Sequence, residues 1–187
     1  MADTQALIPM ENRNPSRKFD YSLDFKTTDF RQHPELYRVG VGEQGVLLVE
    51  PYKSEILPHW RFKTVEIARQ SAQKIHELFE NYLSQNDFVG ADMARKFLQM
   101  GYTRARRYAN YKGGRKYQQT HEKDVQTQVY PYSSGSKYKG NELNARQPDA
   151  AISEKAQAAA IFKEYWFRAK DNPEYIRQKA AFHAMYV

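Results

Sequence analysis

The chain contains no cysteine. That excludes disulfides, thiolate nucleophiles, zinc–thiolate sites and iron–sulfur ligation, and it fits a reducing cytosol. No apolar run approaches the roughly 18 residues of a membrane span, and the N-terminus lacks a basic stretch followed by an apolar one. The reading is a soluble, cytoplasmic protein with no membrane partner. Histidines are few, at positions His33, His59, His76, His121 and His183. None falls in an HxH or HExxH spacing, so neither a metal nor any other cofactor is expected. Carboxylates are missing from one place in particular. Residues 93–121 hold no aspartate or glutamate but eight basic residues, Arg95, Lys96, Arg104, Arg106, Arg107, Lys112, Arg115 and Lys116. The whole chain carries a net charge of +7, so the rest is close to neutral and the basicity is one local block.

At 187 residues the chain suits one domain with a proper core. Its 14 tyrosines and 10 phenylalanines predict a core built largely from rings, many with a polar edge. Residues 1–17 are aperiodic and read as a flexible N-terminal arm; residues 18–187 read as a single globular domain. Leu36–Val41 and Val46–Glu50 are apolar or β-branched runs flanking Gly42-Glu43-Gln44-Gly45, which predicts a β-hairpin over about 36–50 with Pro51 ending its second strand.

From Thr64 the period becomes helical, with Ala68, Ala72, Ile75, Phe79 and Tyr82 on one stripe and Thr64 as N-cap. A second stripe, Val89, Met93, Phe97 and Met100, starts near Asn86 or Asp87. It continues through Tyr108 and Tyr111, which predicts one long helix closed by Gly113-Gly114. Residues 118–148 are polar, lack a sustained period and read as a long loop. Ser153–Ala169 and the segment opened by Asn172-Pro173-Glu174 read as helices again. The expected fold class is therefore α+β, a small hairpin packed on about four helices. Its core should include Val46, Leu48, Ile75, Phe79, Phe97, Met100 and Trp166.

Gly40-Val41-Gly42-Glu43-Gln44-Gly45 matches GxGxxG, but a dinucleotide fingerprint needs a helix after the glycines. Val46-Leu47-Leu48-Val49 reads as a strand, and no kinase catalytic motif follows downstream. A turn is the better reading. In the basic block, a helical projection gathers Arg95, Lys96, Gln99, Thr103, Arg106, Arg107 and Asn110 into one polar sector opposite the apolar stripe. These are the side chains that phosphates accept, and Lys112-Gly113-Gly114-Arg115-Lys116 adds a turn whose amides can approach an anion. Tyr108 and Tyr111 fall on the core stripe. Tyr102 and Tyr117 lie off it and are free to stack.

The runs Phe19-Asp20-Tyr21, Arg31–Gly40, Gly45–Lys53, Leu57–Lys63 and Thr103–Tyr117 resemble an uncharacterised family, catalogued only as a domain of unknown function, found in bacteria and some of their viruses. The resemblance spans about residues 19–180 and implies one compact domain from a bacterial or phage source. It implies no activity.

The leading expectation is a protein that binds nucleic acid, DNA or RNA, through phosphates and without turnover. Arg95, Lys96, Arg106, Arg107, Lys112, Arg115 and Lys116 would supply charge, with Tyr102 and Tyr117 stacking on bases. One alternative is an enzyme acting on a phosphorylated or otherwise anionic small molecule, with His33, His59 or Glu50 as acid or base. Another is an interaction module for an acidic protein partner. A concave pocket that joins cations to a shielded carboxylate or imidazole would favour the enzyme.

Overall fold

The computed structural model describes residues 18–119, 138 and 140–187. The expected N-terminal arm and most of the expected polar loop lie outside the described residues. Five α-helices follow in order: α1 (Tyr52–Ile56), α2 (Val65–Ser84), α3 (Phe88–Asn110), α4 (Glu154–Lys170) and α5 (Pro173–Tyr186). Each of the four longer helices starts on a side-chain cap that takes up amides the helix leaves unpaired. Thr64 accepts from the Ile67 amide, Asp87 from Gly90, Ser153 from Ala156, and Asn172 from both Glu174 and Tyr175.

The 23-residue helix α3 is the hub, with α2 and α4 packed along it and α1 and α5 both against its N-terminal half. From Phe88 to Leu98 every one of its residues is buried, so this half has no solvent face. Gly101 lets α4 approach: a Cβ there would sit 2.2 Å from the Phe162 ring. Val46, Leu48, Ile75, Phe79, Phe97 and Met100 are all buried, as the sequence predicts, while Trp166 is only partly so. Burying a side chain such as Phe79 contributes about 1.5–3 kcal/mol. Among the described residues no helix is long and apolar enough to cross a membrane.

The hairpin expected over residues 36–50 is not formed, and the α+β class is corrected to an all-helical one. The described residues contain no strand, only an isolated antiparallel bridge between Tyr117 and Leu143. Residues 41–48 instead run through successive turns, with the amides of Gln44, Val46 and Leu48 donating to the carbonyls of Val41, Glu43 and Gly45. Such short-range bonds hold the chain away from the extended form a strand needs. Gly45 is left-handed, φ 78°, and packs directly on Phe19: a Cβ would lie 2.1 Å from that ring. The remaining carbonyls are drawn inward by two cations of α3. Lys96 donates to Val39 O (2.5 Å) and Gln44 O (2.6 Å), and Arg95 to Gly42 O (3.2 Å). The glycine-rich segment is thus a loop wrapped around a buried lysine, and the GxGxxG match carries no ligand chemistry.

Candidate functional site

Arg95 and Lys96, both expected at a phosphate-contacting surface, lie inside the protein at 8% and 0% exposure. Asp92, one turn earlier and fully buried, is the reason. Arg95 Nε donates to Asp92 Oδ1 at 2.8 Å, and Lys96 Nζ lies 3.6 Å from Oδ2. The hydroxyls of Tyr175 (2.6 Å) and Tyr37 donate to the same carboxylate. Burial alone would raise the Asp92 pKa, but Arg95 and Lys96 hold it well below the usual carboxylate range. For Lys96 burial wins, and its ammonium is brought down to about 8 despite Asp92. This pairing joins α3 to α5 and to the glycine loop. Both cations are out of reach of a macromolecular backbone.

The other cations occupy the last turns of α3 and the 3-10 turn that follows, Lys112–Gly114. Gly113 (φ 62°) and Gly114 (φ 69°) reverse the chain there in a conformation that other residues rarely adopt. Arg115 to Gln118 then run beside residues 141–144. Asn144 donates to Lys116 O (2.9 Å) and Arg115 O (2.7 Å), and Gln118 N to Glu142 O (2.8 Å). This ladder fixes the backbone that carries Arg115, Lys116 and Tyr117. Arg107 Nε donates to Gly114 O at 2.6 Å and ties the helix to the turn. Arg107, Gly113, Gly114, Arg115, Lys116 and Tyr117 line a hollow of about 160 Å³. Lys112 and Arg115 also border a neighbouring depression on the other side of the turn.

Unmatched charge marks this hollow. Among the described residues, none of Arg104, Arg106, Arg107, Lys112, Arg115 and Lys116 makes an ion pair within 4.0 Å; the charged pairs lie elsewhere. Partial burial, and then the neighbouring Arg104, lower the pKa of Arg107, so both work against its charge. Among the described residues, no carboxylate or imidazole lines the hollow. Lys116 Nζ lies 5.5 Å over the Tyr117 ring, which places that ring beside the cations.

The remaining expected site residues are partly engaged. Arg106 donates to Ala150 O and, at 3.1 Å, to Asn110 Oδ1. Tyr102 stacks on Trp166 with ring centres 5.8 Å apart, and Lys163 lies 5.7 Å over its ring. Arg104 is half-buried near Glu43, whose carboxyl is pushed up by burial while accepting a hydrogen bond from Thr103 (2.9 Å). Tyr111 is buried, whereas Tyr108 is 43% exposed and covers Gly114 and Phe62. The acid–base candidates lie apart from the hollow: His33 bonds to Glu35, Glu50 to Lys53 and Ser54, and His59 is exposed.

A larger groove of about 530 Å³ lies between the start of α3 and α5, lined by Arg31, Asp87, Phe88, Gln178, Phe182 and Met185 among others. Its charges are already matched. Arg31 donates to both Glu55 oxygens at 2.8 Å, Tyr52 to Asp87 at 2.7 Å, and Arg177 to Glu174 at 2.5 Å. Gln178 gives its amide to Leu83 O and Glu174, leaving Oε1 buried without a partner; an acceptor offers nothing to an anion.

No curated protein and no solved structure matches this chain. A family model does match, over residues 20–185, from just after Phe19 to the last turn of α5. The chain belongs to that family, described as Domain of unknown function (DUF4385).

Proposed function

We propose that this protein binds nucleic acid, contacting phosphates through the cations at the C-terminal end of α3 and in the turn beyond it. The observation that carries the reading is the convergence of Arg107, Arg115 and Lys116 on one hollow, with no carboxylate among the described residues that line it and with Lys112 beside it. Arg107, Lys112, Arg115 and Lys116 make the phosphate contacts, and Tyr117 offers the ring on which a base stacks. Arg106, bonded to Ala150 and Asn110, and Tyr102, stacked on Trp166, do not line the hollow. Among the described residues that line the hollow none is a carboxylate or imidazole, which favours binding over turnover of a small anion. A cytoplasmic setting and a bacterial or phage source belong to the same reading.

Fluorescence anisotropy with short labelled DNA and RNA, single- and double-stranded, tests it. Wild type should bind at physiological salt with a Kd of about 10⁻⁴ to 10⁻⁶ M. Lys112→Ala/Arg115→Ala/Lys116→Ala should weaken binding by roughly tenfold or more while moving the thermal midpoint by no more than about 2 °C. Absence of binding at low salt would sink the reading and promote the small anionic substrate. So would a triple variant that binds like wild type.

A further inference from the structure

We infer that the hollow beside Gly113-Gly114 is built for a terminal phosphate, the phosphomonoester end of a nucleic-acid strand, rather than for a phosphate inside the chain. The inference rests on the nucleic-acid reading above and narrows it.

Size comes first. The hollow holds about 160 Å³, and one water takes about 30 Å³ of the liquid. That is room for a phosphate and the first atoms of its sugar. The glycine turn lines it on one side, and the segment 115–118, fixed by its bonds to residues 141–144, brings Arg115 and Lys116 to it on another.

Charge comes second. An internal phosphodiester carries one negative charge, whereas a phosphomonoester carries about −1.5 to −2 at pH 7. Three cations on one small hollow match the second better than the first. Without an anion they repel one another, and Arg107 is also pressed by Arg104.

Donor geometry comes third. Arg107 uses Nε on Gly114 O. Its two Nη groups have no hydrogen-bond partner among the described residues and form a planar fork suited to two phosphate oxygens. Arg115 and Lys116 have no side-chain acceptor among those residues either. Three cationic groups with no carboxylate partner among the described residues match three terminal oxygens, an arrangement that a diester, with only two free oxygens, would leave incomplete.

The test uses single strands of equal sequence carrying a 5′-phosphate, a 3′-phosphate or neither, with the full-length protein. One phosphorylated strand should bind roughly tenfold more tightly than the unphosphorylated one. Arg115→Ala/Lys116→Ala should abolish that preference while keeping the wild-type thermal midpoint. Inorganic phosphate should compete with the phosphorylated strand more strongly than sulfate-free chloride buffer of equal ionic strength does. Equal binding of all three strands would overturn the inference and leave the nucleic-acid reading standing. A nucleoside monophosphate that binds as tightly as the phosphorylated strand would also overturn it, because the strand would then contribute nothing. Failure of every strand to bind would remove both readings.

Discussion

The buried cluster around Asp92 holds two cations against one carboxylate, and the two are not equally held. Burial works against the charge of Arg95, yet contact with Asp92 at 2.8 Å keeps its guanidinium firmly protonated. Lys96, at 3.6 Å from the carboxylate and pressed by Arg95, is the group that gives up a proton first, at about pH 8. Losing it does not open the glycine loop, because a neutral amine keeps two N–H donors for Val39 O and Gln44 O. The consequence is a stability profile with a definite sign. Below about pH 8 Lys96 is protonated in both states, and its contribution is at its lowest. Between there and the ordinary lysine value near 10.5, the unfolded chain holds a proton that the folded chain has released. Stability therefore rises with pH, by at most about 1.4 kcal/mol per unit for one proton. Tyr52, Tyr82 and Tyr175, whose hydroxyls burial pushes up, act in the opposite direction above about pH 10. Urea unfolding of wild type from pH 7 to 9.5 should show the rise, and Lys96→Met should flatten it whatever its absolute stability. A wild-type profile that falls over this range would mean that Lys96 is not depressed.

At the scale of elements, α3 does two jobs along one length, a buried first half and a cationic second half. The join is Gly101, where the Phe162 ring of α4 rests on the helix backbone. Alanine in place of glycine inside a helix normally gains about 1 kcal/mol in propensity. Here its Cβ would have to displace a ring at 2.2 Å that is itself fully buried. Overpacking of this kind costs about 1–3 kcal/mol, so Gly101→Ala should lower stability on balance. A gain in urea midpoint would mean that α4 yields easily at this contact. The four longer helices were legible, because caps are local: Thr64, Asp87, Ser153 and Asn172 each act on amides two or three residues ahead; α1, with no side-chain cap, was not. The hairpin was misread because glycines beside an apolar run look the same in sequence whether the chain folds back as strands or as turns. What decides between them is Lys96, 57 residues beyond Val39. Arg95 and Lys96 were misplaced for a related reason. A helical projection assumes a solvent face, and this half of α3 has none. Asp92, three and four residues before them and just outside the acid-free stretch, was the available signal.

For the whole molecule, these placements reduce the cations that can meet a partner and change what salt should do. The seven expected in the sequence become four at the hollow and its neighbouring depression: Arg107, Lys112, Arg115 and Lys116. Neutralising a phosphate releases condensed counterions, so log K falls against log salt with a slope of about −0.7 per contact on single strands and −0.9 on B-DNA. Four contacts therefore give roughly −2.8 on single strands and −3.6 on duplex. Removing Lys112 and Arg115 together should bring these to about half. Arg106 and Arg107 make poorer test positions, because each also bonds a backbone carbonyl that steadies the turn or the start of α4. Replacing that pair should lower stability as well as binding, mixing the two readouts. A slope near −4.2 on single strands or −5.4 on duplex would mean about six contacts, and so cations beyond the four at the hollow. A slope near zero, with binding retained, would move affinity from the cations to Tyr117 and its neighbours. Titrations from low to physiological salt, with wild type and Lys112→Ala/Arg115→Ala side by side, separate these outcomes.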